Sequence, residues 1–288
     1  MDLTGAAAAV LISLLWGANS VVIKLGLEDT PPLRLAAMRV VVGGIVICLW
    51  AWATGRFAAF RIERWEWRPL AVLGLLFSVQ MGATNIGTWL TSASHATVLV
   101  NLYAVHTVVL AHFMIPGDRL TPAKVGGVLV AYTGIVLLFA RDFSFRSETL
   151  VGDLVVAASA VLLAERVVYM ARAVQRFDPL KLLVFQSAIG SACFLLASVV
   201  LESGVPTRYT PALAASLFYQ GAVVAGFNFI VNSYLFKVYL ASALATCSLT
   251  TPLFGVLVAA AVTGDQLSPL LLLSSVMVAA GIGLTVRR

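Results

Sequence analysis

The sequence predicts an all-α integral membrane protein, with ten transmembrane helices arranged as two inverted five-helix repeats and both termini cytoplasmic. Three observations carry this. Hydrophobic residues make up 60% of the chain and charged residues 11%, with a mean hydropathy of +0.97. The apolar residues gather into ten runs long enough to cross a bilayer. One ungapped offset, 147 residues, maps the first half of the chain onto the second.

Composition sets the class. A soluble domain has about a quarter of its residues charged. A water-soluble fold of 288 residues would need a polar coat that this chain lacks. A bilayer removes the demand, because lipid tails accept apolar side chains around the whole perimeter. The net charge of +6 would point to nucleic acid in a soluble protein. Here the basic residues sit in short gaps between apolar runs, so they read as topology signals, and no nucleic-acid partner is expected. Cys48, Cys193 and Cys247 all lie inside apolar runs, without CxxC spacing, and read as packing residues. No metal site and no cofactor are expected. The first run has only Asp2 before it and continues to about Gly26, so it is not expected to be a cleaved signal.

A helix needs about 20 apolar residues to cross roughly 30 Å of hydrocarbon. The ten runs are Thr4–Gly26, Leu33–Thr54, Pro69–Leu90, Ala93–Ile115, Thr121–Ala140, Leu150–Ala171, Lys181–Leu201, Pro211–Phe236, Tyr239–Thr263 and Ser268–Val286. Turn residues fill the gaps, as in Asp29-Thr30-Pro31-Pro32 and Asp178-Pro179. The gap Gly55–Arg68 holds four arginines and two tryptophans and reads as an interfacial anchor. No soluble domain is left over. With the N-terminus placed inside, the inner gaps and the C-terminal end hold twelve Lys and Arg and the outer gaps five, so the positive-inside rule puts both termini in the cytoplasm.

The offset of 147 pairs Pro32-Leu33-Arg34-Leu35 with Pro179-Leu180-Lys181-Leu182. It pairs Gly43 with Gly190, Gly74 with Gly221, Asn85 with Asn232, and Gly134-Ile135 with Gly281-Ile282. It also pairs Gly117-Asp118-Arg119-Leu120-Thr121-Pro122 with Gly264-Asp265-Gln266-Leu267-Ser268-Pro269. Apolar composition produces stray Gly or Leu matches, but not a repeated GDxL[S/T]P turn. The repeats are assigned to residues 1–145 and 146–288, together one membrane domain. Five crossings is an odd number, so the second copy enters from the opposite side. Inverted repeats of this kind place a transport site near the midplane and give alternating access.

A polar side chain in hydrocarbon faces a neighbouring helix or a wet cavity, and sequence leaves both readings open. Asn85 and Asn232 are repeat mates, and Asn228 shares the Asn232 face; these amides suit a zwitterion's two charges or interhelical hydrogen bonds. Trp16 and Asn19 share a face of the first run, where the indole suits either stacking on cargo or helix packing. Asn101 and its mate Ser248 lie mid-run, with Tyr103 and Thr250 two residues on. His106 is a candidate proton carrier or a hydrogen-bonding residue. Glu165 and Arg166 are adjacent opposite charges inside one run, read as a coupling pair or as an ion pair snorkelling to the cytoplasmic face. Arg39, with Gln186 as its mate, is a candidate carboxylate ligand or a snorkelling residue. Pro252 removes a backbone hydrogen bond and is a candidate hinge.

The chain resembles the drug/metabolite transporter superfamily, in its ten-helix EamA-type branch. The resemblance covers nearly the whole chain. It rests on Leu15-Trp16-Gly17 with Asn19 and Ser20, on the Pro-Leu-[Arg/Lys] entries, on Thr251-Pro252-Leu253-Phe254-Gly255, and on the Gly-Asp-x-Leu-[Ser/Thr]-Pro turns. The family usually carries Gly-Glu in those turns, and the first half has Val105-His106 where the repeat predicts Pro252-Leu253. The resemblance implies a multi-pass protein of a bacterial inner (plasma) membrane, exporting small metabolites, often amino acids and among them aromatic ones. It places the fifth and tenth helices outside the cavity as supports. A monomer is the expected functional unit.

The alternative within the same fold is a carrier for drugs or toxic cations. An intramembrane enzyme is the rival from another class. It is opposed by the absence of HExxH and GxSxG and by the spacing of His95, His106 and His112. A channel would draw on rings of like groups from symmetric subunits. No phosphate-binding loop is present, so a gradient must drive transport.

Overall fold

The computed structural model describes residues 3–114, 120–139, 149–239, 251–264 and 266–286. The described residues are helical, joined by short turns and one 3₁₀ turn, with no strand among them. The helical runs are α1 (Leu3–Leu27), α2 (Pro32–Ala53), α3 (Trp67–Leu90), α4 (Ala93–Met114), α5 (Pro122–Phe139), α6 (Leu150–Ala173), α7 (Pro179–Leu201), α8 (Pro211–Val238), α9 (Thr251–Thr263) and α10 (Pro269–Val286). Seven of them, α1 to α4 and α6 to α8, are long and apolar enough to cross a membrane. The expected run Tyr239–Thr263 is described only from Thr251, so Ser248 and Thr250 lie outside the described residues.

The helix starts follow from local chemistry. Proline heads α2, α5, α7, α8 and α10, where its missing N–H has no intrahelical partner to lose. The residue before it often caps. Asp178 Oδ1 accepts from Leu180 N at 2.8 Å, and Thr210 Oγ1 accepts from Leu213 N at 3.0 Å. The repeated Thr-Pro and Ser-Pro turns act alike: Thr121 Oγ1 accepts from Lys124 N at 3.3 Å, and Ser268 Oγ accepts from Leu271 N at 3.1 Å.

Many large apolar side chains point outward. Leu196, Val199, Val200 and Leu201 are exposed along α7, a pattern that suits lipid rather than water. Trp50, Trp52, Trp65 and Trp67 are exposed together around the turn between α2 and α3, as a membrane-interface belt requires. Arg56 in that turn pairs with Asp178 at 3.2 Å, and Lys181 Nζ lies 2.9 Å from Glu66 Oε1.

The packing obeys the same offset as the sequence. A Cβ built on Gly74 of α3 would lie 2.7 Å from Ile189 Cβ on α7, and one on Gly221 of α8 would lie 2.6 Å from Val42 Cβ on α2. Both the glycines and their partners are 147 residues apart. Likewise, a Cβ built on Gly134 of α5 would lie 3.0 and 3.4 Å from Ser274 O and Val278 N of α10, and one on Gly281 would lie 2.6 and 2.7 Å from Gly127 O and Ala131 N. The 147-residue offset exchanges each pair of contacts. Glycine is needed here because any side chain would hold these backbones apart.

Candidate functional site

Helices from both halves enclose a cavity of about 200 Å³, lined from α1, α2, α3, α4, α5, α6, α7, α8 and the first residue of α9. Its lining runs along α1 from Ala9 to Ser20, along α4 from Thr97 to Ala111, along α6 from Leu163 to Ala171 and along α8 from Val224 to Phe236, with Lys124 at the start of α5. The cavity therefore extends toward the end where α4, α6 and α8 finish. Polar contacts close the opposite end. Glu202 accepts from Leu33 N and Arg34 N at 2.8 Å each, Arg34 Nη1 donates to Val205 O at 2.6 Å, and Arg208 pairs with Asp29 at 3.2 Å.

The helices that line the cavity are interrupted beside it. α1 breaks at Ala18, between Trp16 and Asn19. α4 breaks at Asn101. Residues Phe218–Asn228 of α8 wind as a π-helix. Such interruptions free backbone groups and re-aim side chains at functional sites. Side chains from α8 and α9 answer the α1 carbonyls. Tyr219 Oη donates to Leu15 O at 2.7 Å, Thr251 Oγ1 to Ser13 O at 3.2 Å, and Asn228 Nδ2 to Ile12 O at 3.4 Å.

Of the residues singled out in sequence, Trp16, Asn19, Arg39, Asn101, Tyr103, Arg166 and Asn232 line the cavity. Trp16 stands edge-on to Phe229, with ring centroids 6.5 Å apart, and the two form an apolar wall. Asn101 Nδ2 donates to Thr97 O at 2.7 Å. Five do not line the cavity. Asn85, repeat mate of Asn232, is fully buried and donates to Met81 O at 2.9 Å. Asn228 is fully buried against α1. His106 meets Tyr132 of α5. Glu165 does not line the cavity, and no ion pair joins it to Arg166 among the described residues. Pro252 is the second residue of the described part of α9, beside the lining residue Thr251.

Two guanidiniums dominate the electrostatics. Arg39 is 1% exposed; its Nη2 reaches Asn19 Oδ1 at 3.4 Å, and its Nε and Nη1 have no partner among the described residues. Arg166 Nη1 donates to Gln186 Oε1 at 3.3 Å, its Nε has no partner among them, and its guanidinium lies over the rings of Phe77 and Phe229 at 5.3 and 5.5 Å. Asn19 and Arg166 are 147 residues apart, as are Arg39 and Gln186. The two amide–guanidinium pairs are thus images of each other under the repeat, with the charge moved from one partner to the other. Sequence reasoning paired Arg39 with Gln186 but missed the Asn19–Arg166 correspondence, which the same offset contains.

Sequence reasoning also missed Gln80, Thr84 and Thr97 in the lining, none of which carries a motif. A second polar cluster lies away from the cavity. Asp153 is fully buried, accepts from Thr91 Oγ1 at 2.5 Å, and lies 3.0 Å from His95 Nδ1. No described group of His, Cys, Asp and Glu could hold a metal ion.

Similarity to known proteins agrees with this architecture. The EamA-like transporter family matches the chain twice, over residues 3–140 and 150–287. A probable amino-acid metabolite efflux pump of Salmonella typhimurium is 25% identical over 295 residues, covering 96% of this chain and 93% of its own. The corresponding Escherichia coli pump is 24% identical over 297 residues, with the same coverage. An uncharacterized transporter of Archaeoglobus fulgidus is 25% identical over 233 residues, covering 78% of this chain and 77% of its own. A solved structure with 21% sequence identity superposes with a TM-score of 0.74, over 99% of this chain and 96% of that one, and so shares the fold. With both halves matched, the chain is a multi-pass membrane transporter, not an enzyme, and belongs to the EamA-like transporter family of the drug/metabolite transporter superfamily.

Proposed function

We propose that the protein is a secondary exporter of small metabolites, with amino acids as the leading cargo, working by alternating access around the central cavity. The observation that carries this is the cavity itself: about 200 Å³, lined by both halves, with an aromatic wall and amides beside interrupted helices. That volume is below the roughly 300–1,000 Å³ of drug-sized sites. It suits a metabolite rather than a bulky drug. A buried guanidinium (Arg39) and a half-buried one (Arg166) in the lining weigh against the alternative, a carrier of toxic cations.

In this reading all ten helices cross the membrane, the repeats 1–145 and 146–288 are inverted, and both termini are cytoplasmic. The exchange of glycine contacts between α2, α3, α7 and α8 supports the twofold relation. The cavity then extends toward the cytoplasm in an inward-facing state, while the Glu202 and Arg208 contacts close the outer end. The protein works as a monomer in a bacterial inner membrane. Trp16, Asn19, Asn101, Tyr103 and Asn232 contact cargo, and Pro252 lets α9 bend.

Proteoliposomes test this with a panel of radiolabelled amino acids and related metabolites. Saturable uptake with counterflow is expected, reduced about tenfold or more, or about 1.4 kcal/mol, by Trp16→Ala or Asn232→Ala. Unchanged transport in both variants would remove them from the site. Cysteine labelling that placed the turn after Gly55 and the turn after Val205 on one face of the membrane would reject the inverted topology.

A further inference from the structure

Two guanidiniums in the cavity lining have no acidic partner among the described residues. That lining contains Arg39 and Arg166, with Lys124 at the wider end, and no Asp or Glu. Inside the membrane helices the acidic side chains are Asp153 and Glu165. Asp153 is engaged by Thr91 and His95. Glu165 forms no ion pair with either arginine among the described residues. Residues 240–250, which lead into α9, contain no acid at all. Asn19 accepts one long hydrogen bond from Arg39 and Gln186 one from Arg166, and among the described residues three guanidinium nitrogens stay without a partner: Nε and Nη1 of Arg39, and Nε of Arg166.

A lysine in such a place can shed its proton, but an arginine cannot. Uncompensated charge at this depth is costly, and a neutral amide would fill the same space without that cost. Stacking on Phe77 and Phe229 steadies Arg166 but supplies no counter-charge. No described acid supplies the counter-charge, and the cavity admits an anion beside a planar fork of donors suited to an oxyanion.

We infer that the cargo is a small organic anion, and that Arg39 and Arg166 bind its carboxylate or phosphate oxygens. The inference rests on the transport reading of the cavity and narrows it. One zwitterion brings a single carboxylate together with an ammonium that the two arginines repel. A dicarboxylate, an acidic amino acid or a phosphate monoester brings net negative charge and matches the site. Trp16, Met81 and Phe229 take the carbon skeleton. Each half of the protein contributes one arginine, so rocking the halves against each other changes how the anion is shared between them.

The test uses the full chain in proteoliposomes with succinate, glutamate, a small phosphate monoester, leucine, lysine and tetraethylammonium. At least one anion is expected to show saturable flux about tenfold or more above the zwitterion and the cations, a difference of about 1.4 kcal/mol or more. Arg39→Gln and Arg166→Gln should abolish most of that flux, and Arg39→Lys and Arg166→Lys should restore part of it, in variants that remain monodisperse. Which anion is carried separates carboxylate from phosphate. Saturable flux of leucine, lysine or tetraethylammonium above every anion overturns the charge assignment while leaving the transporter intact. So does anion flux unchanged in both glutamine variants. Absence of saturable flux for every compound defeats the transport reading and this inference with it. The wild-type selectivity decides the matter even if a glutamine variant fails to fold.

Discussion

Asn19 and Arg166 occupy the same position in the two repeats, 147 residues apart on α1 and α6, yet one is a neutral acceptor and the other a cation. Asn19 accepts from Arg39 at 3.4 Å, and Arg166 donates to Gln186 at 3.3 Å. The duplication kept the geometry of a guanidinium beside an amide and exchanged which helix supplies the charge. Each half thus presents one arginine to a shared cavity.

Asn19→Asp separates a structural arginine from a cargo-binding one. The new carboxylate would sit within hydrogen-bonding reach of Arg39 and neutralise it. Thermal stability in detergent is expected to hold or rise. Saturable anion flux should fall about tenfold, near 1.4 kcal/mol of lost interaction. Undiminished flux would mean that cargo does not read Arg39.

The glycine contacts predict paired losses of stability. Gly74→Ala would drive its Cβ to 2.7 Å from Ile189 Cβ, and Gly221→Ala to 2.6 Å from Val42 Cβ. Overpacking of this kind costs about 1–3 kcal/mol. Both variants should unfold at lower temperature, by similar amounts, because the repeat offset exchanges the contacts. Gly204→Ala, with nothing within 4 Å of the added carbon, serves as the control and should leave the transition unmoved.

Glu66 predicts a pH dependence. Burial works to raise its carboxyl, but the Glu63 backbone N–H at 2.7 Å and Lys181 at 2.9 Å outweigh that and hold it below the ordinary 4.5. A lowered carboxyl favours the folded state above the unfolded value and loses that advantage as pH falls through the folded one. Melting temperature should therefore decline as the pH drops below about 4.5, in part through this group. In Glu66→Gln that part of the decline should vanish, and stability at pH 7 should be lower. Parallel melting curves for the two proteins from pH 7 to pH 3 would refute the assignment.

Glu202 predicts a gate. Its carboxylate holds the first N–H groups of α2 from the far end of α7, where negative charge meets the positive pole of a helix. Glu202→Ala should loosen the closed end. With Cys48, Cys193 and Cys247 replaced, Ser20→Cys should then react several times faster with a membrane-impermeant maleimide applied from that side. An unchanged labelling rate would place the closure elsewhere.

Much of the fold was legible in one dimension. The apolar runs, the proline-led helix starts and the 147-residue repeat follow from hydropathy and spacing, which need no knowledge of what packs on what. The cavity was legible only in part. Trp16, Asn19, Asn101, Tyr103 and Asn232 reach it, but Asn85, in the same repeat position as Asn232, is sealed against its own helix. Which way such an amide turns depends on the rotation of its helix, and the sequence of that helix does not state it.

Sequence alone, then, determined a duplicated, lipid-embedded chain of this family, because burial in lipid and repetition are written residue by residue. Tertiary structure decided that Arg39 and Arg166, each left open in sequence between a functional role and a snorkelling or ion-paired one, face one cavity whose described lining holds no acid. The reason is physical: a charge is compensated or left bare by neighbours brought from distant helices, and only packing chooses those neighbours.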